Sequence, residues 1–308
     1  MKTLLRFVIP MMLLLLVSSL SLSANNVFGH TFSGDESASF LSKVEMIKIE
    51  SQWAQQQLSN NVSLAKEHAE QTTQILTEND TEEISERNSR LATELDETLI
   101  DFVNTFESES PTESEVTDKV SNITDVLSEV VSARIDNEQL NNVTVKALVV
   151  NDLVGEALQH FASALGMEES EHEESEHNTS AANETENGSN ETAKLVDEAE
   201  YQSAQGAVSQ AINTYNEIKP NENANSTELE NSLTSLKGQI DSKSPFDEID
   251  QTVDEKITPL LNNVFKLNLA EGEETHAEGE ETHAEGEEHE EEETHTSSEN
   301  ETHETDSD

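Results

Sequence analysis

The sequence predicts an all-α protein: an antiparallel helical bundle of about five helices, then a smaller three-helix segment, with a disordered acidic linker and tail. Three observations predict this. Apolar residues recur at steps of three, four and seven along most of the chain. Pro (5), Gly (10) and aromatics (4%) are too scarce for the turns and aromatic strands of β-sandwiches and barrels. Two stretches are almost free of large apolar residues and cannot build a core.

The first element is a leader. Lys2 and Arg6 form a short basic region, and Phe7 to Val17 (FVIPMMLLLLV) an apolar one. Small residues follow, with cleavage expected after Ala24 or Gly29, so residues 1–29 read as a secretory signal peptide. Pro10 and the serines disfavour an uncleaved anchor. An extracytoplasmic, soluble chain with no membrane insertion after signal removal is expected.

The N-terminal bundle is assigned to residues 30–167. Helix one covers roughly 35–58, entered through Ser33 with Glu36 three later, and carries Phe40, Val44, Ile47 and Leu58, with Trp53 near its end. Helix two spans about 63–77 with Ser63 as its cap and Leu64, His68, Thr72, Ile75 and Leu76 on one side. Helix three, about 81–107, is entered by Asp80 and carries Ile84, Leu91, Leu95, Leu99, Phe102 and Phe106. Helix four, about 112–135, carries Val116, Val120, Ile123, Leu127 and Val130. Helix five, about 138–165, carries Val143 to Leu165, and Gly166 stands where a C-terminal cap belongs. Each stripe covers one face, so none of these helices buries itself alone.

Residues 168–192 (EESEHEESEHNTSAANETENGSNET) hold acids and no bases, and are expected to be disordered. Helical periodicity resumes over 193–269. A helix at about 193–218 ends before Pro220, another runs about 226–241, and a third starts at Ser244-Pro245 with a kink or early end expected at Pro259. Three helices make a small bundle or dock onto the first one; the sequence leaves both open. The tail, 270–308, repeats AEGEETH at 270–276 and 277–283, then AEGEEH at 284–289. It holds no Lys or Arg, and self-repulsion keeps it extended.

HTFSGDESASFLSKVEMIKIES, LAKEHAEQTTQIL, EISERNSRLATEL and YQSAQGAVSQAINTYNEIKP resemble a group of secreted all-helical proteins of ammonia-oxidising archaea. Members of that group join two helical segments through a polar linker often rich in His and Met. The resemblance covers about two-thirds of the chain. It implies secretion and a helical fold, and carries no catalytic motif. This chain departs from the group in having no Met after Met167.

Charge and chemistry narrow the function. With 66 Asp+Glu against 16 Lys+Arg, the formal charge is −50, which repels phosphate backbones and anionic lipid surfaces, so no nucleic-acid partner is expected. Without Cys there is no disulfide framework or thiolate metal site. His172, His177, His276, His283, His289, His295 and His303 lie among carboxylates, a donor set that suits divalent cations: Cu, Zn or Ca, bound weakly. Ordering a flexible chain around each ion costs entropy, so capacity is favoured over affinity.

Cleavage after Gly29 would make His30 the first residue. Its amine and imidazole would then chelate copper, with His68 or His160 as the third nitrogen. The bland reading of His68 and His160 is structural. No di-iron Glu-x-x-His pair, phosphate loop, nucleophile elbow, H-E-x-x-H or EF-hand loop is present, so no enzyme is expected. Ten Asn-x-Ser/Thr acceptors, at Asn61, Asn79, Asn122, Asn142, Asn178, Asn183, Asn187, Asn190, Asn225 and Asn300, fall mostly at helix ends or in the linker, where a glycan stays solvated. Two functions are open: an extracytoplasmic divalent-cation binder, or a structural or interaction glycoprotein whose partners are cell-envelope components.

Overall fold

The computed structural model describes residues 33–107, 111–167, 194–220 and 224–269. The expectations for residues 1–29, for His30, for disorder in 168–192 and for the tail 270–308 lie outside the described residues. Among these residues helices dominate and no strand occurs, as the periodicity predicts.

Helix α1 (Gly34–Gln57) starts with the expected capping box: the Ser33 hydroxyl accepts from Glu36 N–H, and Glu36 accepts from Ser33 N–H. Helix α2 (Val62–Gln71) is capped by Asn61, not Ser63, because Asn61 Oδ1 accepts from Leu64 N–H at 3.2 Å. Helix α3 (Glu78–Glu107) is entered through Thr77, not Asp80. Thr77 N–H donates to Asp80 Oδ2 and Asp80 N–H donates to Thr77 Oγ1, so Asp80 is the third residue of a reciprocal cap. Asn88 breaks α3 with extended backbone (φ −158°, ψ 89°), and its Oδ1 caps the second half by accepting from Leu91 N–H.

Helix α4 (Glu113–Arg134) begins at Thr112. The expected fifth helix divides into a single turn, α5 (Asn137–Leu140), and α6 (Val143–Ala164). Asn142 separates them: it leaves helical geometry and accepts from Thr144 N–H at 2.9 Å. Gly166 (φ 71°) ends α6 as expected, with Met167 N–H donating to Ala162 O and Gly166 N–H to Ser163 O.

Helix α7 (Glu198–Ile218) starts later than 193 because Asp197 accepts from Glu200 N–H and fixes the cap there. Helix α8 (Ala224–Asp241) is followed by α9 (Phe246–Thr252), a π-helical turn (Val253–Ile257) and α10 (Thr258–Phe265). Pro259 lacks an N–H and its ring crowds the carbonyl four residues back, and the widened π turn just before it accommodates both demands.

Two apolar cores result. Phe40, Val44 and Ile47 of α1 pack with Leu91, Leu95 and Phe102 of α3 and Ile123 and Leu127 of α4. Ala38, Met46 and Ile49, also from α1, join Leu153 and Phe161 of α6, Val208 and Tyr215 of α7, and Leu233 of α8. Helix α1 therefore has two buried faces, against the single stripe expected. Ser37, Ser42, Ser51 and Ala54 let neighbouring helices approach it on several sides. Helix α6 contributes to the second core and packs mainly on α7, so the two helical segments that flank 168–193 share one interior.

The ends of that acidic segment meet. Val196 N–H donates to Ala164 O at 2.8 Å, and Asp197 N–H to the same oxygen at 3.3 Å. The described residues on either side of 168–193 thus meet at the end of α6 beside the start of α7.

Candidate functional site

Every helix that meets near this junction sends a polar side chain inward. Glu50 and Gln57 come from α1, His68 and Gln71 from α2, Glu156 and His160 from α6, and Glu200 and Gln202 from α7. His68 is fully buried, and Glu50 is 1% exposed. An ionisable pair so deep is tolerated only when its polar atoms are bonded.

His68 lies between two acceptors. Its Nδ1 stands 2.7 Å from Glu50 Oε2, and its Nε2 2.9 Å from Gln202 Oε1. Gln57 Nε2 donates to that same Gln202 oxygen at 3.0 Å, which sets the amide with its oxygen toward the ring. His68 Nε2 is therefore a donor, and one proton is shared between Nδ1 and the Glu50 carboxylate. Trp53 stacks on the imidazole, ring centres 6.0 Å apart and planes 18° from parallel. Glu50 Oε1 is buried without a protein partner.

The second pair is half-buried. His160 Nδ1 lies 2.6 Å from Glu200 Oε2, and Gln71 Nε2 donates to Glu200 Oε1 at 2.8 Å. Glu156 reaches His160 Nε2 at 3.7 Å from one turn earlier. Burial pushes the His160 imidazole down, but the bonded Glu200, with Glu50 and Glu156 behind it, lifts it above its ordinary 6.5. Burial raises the Glu200 carboxyl, and the hydrogen bond from His160 outweighs it, so Glu200 stays below 4.5. Nearby Glu67 is pushed up by burial and by Asp197.

The sequence places His68 on the apolar side of its helix and offers His160 as a nitrogen donor, but gives the partners of neither. Glu50 follows Ile47 by three and Met46 by four, so a charge sat on an apolar stripe; that was the available signal. A second polar cluster was also missed. Arg134 is buried with its guanidinium 3.8 Å from the Phe40 ring centre, and it pairs with Asp80 (3.2 Å) and Glu83. Lys43 also pairs with Asp80, at 2.8 Å. Burial raises the Asp80 carboxyl, but Lys43 and Thr77 hold it below 3.8.

The residues chosen from sequence as cation ligands, His30, His172, His177, His276, His283, His289, His295 and His303, all lie outside the described residues. Both ring nitrogens of His68 are occupied by Glu50 and Gln202, so completing a copper chelate with His30 would require breaking one of those bonds. Among the described residues no group of three or more His, Asp or Glu is placed to hold a metal ion.

Of the acceptor asparagines, Asn61, Asn79, Asn122 and Asn142 are exposed and Asn225 is partly so; Asn178, Asn183, Asn187, Asn190 and Asn300 lie outside the described residues. A groove of about 610 Å³ opens between the α2–α3 turn and the two halves of α3, lined by Leu76, Ile84, Leu95 and Leu99, and no histidine borders it. No described helix is long and apolar enough to cross a membrane. No family model matches the sequence, no curated protein matches it, and no solved structure matches the chain.

Proposed function

We propose that this is an exported acidic protein that binds and buffers divalent cations through its His/Glu-rich segments, with the helical body as their scaffold. The observation that carries the reading is the distribution of imidazole. Seven of the ten His stand among carboxylates in 168–192 and 270–308. The two His of the described body are instead tied to Glu50, Glu200 and Gln202. Imidazole with carboxylate oxygen suits Zn or Cu, and carboxylate alone suits Ca. Many weak sites on a polymer give capacity, and the body joins both ends of residues 168–193 at one point. The reading has no catalytic step.

Calorimetry with Cu²⁺, Zn²⁺ and Ca²⁺ on the intact mature chain and on a version ending at Leu269 tests it. Loss of most Cu and Zn uptake on truncation is expected. Undetectable micromolar binding in both forms rejects the reading.

The exposed acceptor asparagines favour a second reading, a structural or interaction glycoprotein of the cell envelope. Asn61 and Asn142 each cap a helix through Oδ1, which leaves Nδ2 for a glycan. Intact mass spectrometry of the native protein distinguishes this case by its glycan count and fixes the start of the mature chain.

A further inference from the structure

We propose that the contact of α7 with α1, α2 and α6 is a pH-sensitive latch, closed by the proton that His160 shares with Glu200 and loosened when that proton leaves, with the His68 bonds to Glu50 and Gln202 as its fixed frame. Each pair crosses between separate helices. His68 of α2 bonds Glu50 of α1 on one side and Gln202 of α7 on the other. His160 of α6 bonds Glu200 of α7, which Gln71 of α2 also holds.

The surroundings decide the sign. The charged groups around the site are acids from every adjoining helix: Glu200 of α7, Glu50 of α1 and Glu156 of α6 act on His160, and Glu67 of α2, beside His68, faces Asp197, Glu200 and Glu70. Lys66 on α2 is turned to Glu70 and to Glu107 of α3, at 3.4 and 3.8 Å. The His160 imidazole supplies the positive charge beside Glu200. Removing the His160 proton leaves the half-buried Glu200 carboxylate without its charged partner, with Glu50 and Glu156 nearby.

His160 titrates above 6.5 in the fold, so its stabilisation is complete below 6.5 and is lost as pH rises through the folded value. Glu200 titrates below 4.5, so its share is present above 4.5 and lost in acid. The latch is tightest in mild acid and weakens on the alkaline side. Because Asp197 caps α7 and Val196 bonds Ala164, the first turn that loosens is the one where the acidic segment rejoins the body. This inference does not depend on cation binding.

Hydrogen exchange of the full chain in metal-free buffer, at about pH 6 and about pH 8.5 and corrected for intrinsic rates, tests it. Amides of the first half of α7 should lose protection on the order of tenfold at the higher pH, while the second half of α3 and α4 hold theirs. The double variant H160Q/E200Q, neutral at both pH values, should keep α7 protected and lose most of the pH dependence. Equal α7 protection at both pH values overturns the latch. So does a uniform loss over all helices, which general charge repulsion produces, or an undiminished fall in the double variant.

Discussion

Gly206 of α7 lies so close to Ile49 of α1 that a Cβ on the glycine would stand 2.3 Å from Ile49 Cγ2 and 3.1 Å from Trp53 Nε1. A glycine inside a helix costs roughly 0.5–1 kcal/mol relative to alanine. Here the packing of the Ile49 and Trp53 side chains over the glycine outweighs that cost. It also sets the distance at which Gln202 reaches His68, one turn earlier on α7.

Gly206→Ala should therefore destabilise the protein, by about 1–3 kcal/mol of overpacking less the propensity gain. Gly238, inside α8, has nothing within 4 Å of its would-be Cβ. Gly238→Ala should stabilise by roughly 0.5–1 kcal/mol. Urea unfolding of the two variants measures opposite shifts of the midpoint; shifts of the same sign would contradict the close approach.

Asp80 joins three elements: it completes the α3 cap with Thr77, pairs with Lys43 of α1 and faces Arg134 of α4. Asp80→Ala leaves a guanidinium that is 5% exposed with Glu83 as its remaining acidic partner among the described ion pairs. A loss of about 3 kcal/mol is expected. Because its folded carboxyl lies below 3.8, this stabilisation is present above 3.8 and disappears as pH falls through the folded value. Acid unfolding followed by circular dichroism should begin at higher pH in the variant.

Asp152 of α6 titrates the other way. Burial, then Glu156 and Asp35, push its carboxyl up to about 7 against an opposing hydrogen bond from Asn151. The ordinary value is 3.8, so ionisation costs stability progressively from there up to about pH 7. Asp152→Asn should gain roughly 2 kcal/mol at alkaline pH, after discounting for solvent at a half-buried group, and nothing in strong acid. Thermal melts across pH that stay parallel for the two proteins would count against this.

Asn61 serves as both cap and glycan acceptor. Asn61→Ser removes the acceptor but keeps a capping oxygen; Asn61→Ala removes both. The serine variant should be nearly as stable as the parent, and the alanine variant about 1 kcal/mol less stable. If Asn61 carries a glycan, each variant loses one glycan mass.

Much of the helical layout was legible because apolar spacing, Ser33 and Gly166 act locally, whereas the Asp197 cap, which sets the start of α7, was passed over. The errors were local ties decided by side chains. Ser63 and Asn61 both suit an N-cap, and the hydrogen bond to Leu64 belongs to Asn61. The stripe of α3 steps seven from Ile84 to Leu91, which hid the break at Asn88. The two-faced burial of α1 is written in Ser37, Ala38, Ser42 and Ala54, small residues that a search for large apolar side chains passes over. His68 and Gln202, joined in the Glu50–His68–Gln202 chain, lie 134 residues apart, and sequence spacing carries no information about such a contact.

The most direct test of the cation-binding account is NMR of the imidazoles during Zn²⁺ addition to the full chain. Resonances of His172, His177, His276, His283, His289, His295 and His303 should shift or broaden first, with His68 and His160 unchanged. An unmoved set of seven, or a first response at His68 or His160, contradicts the account.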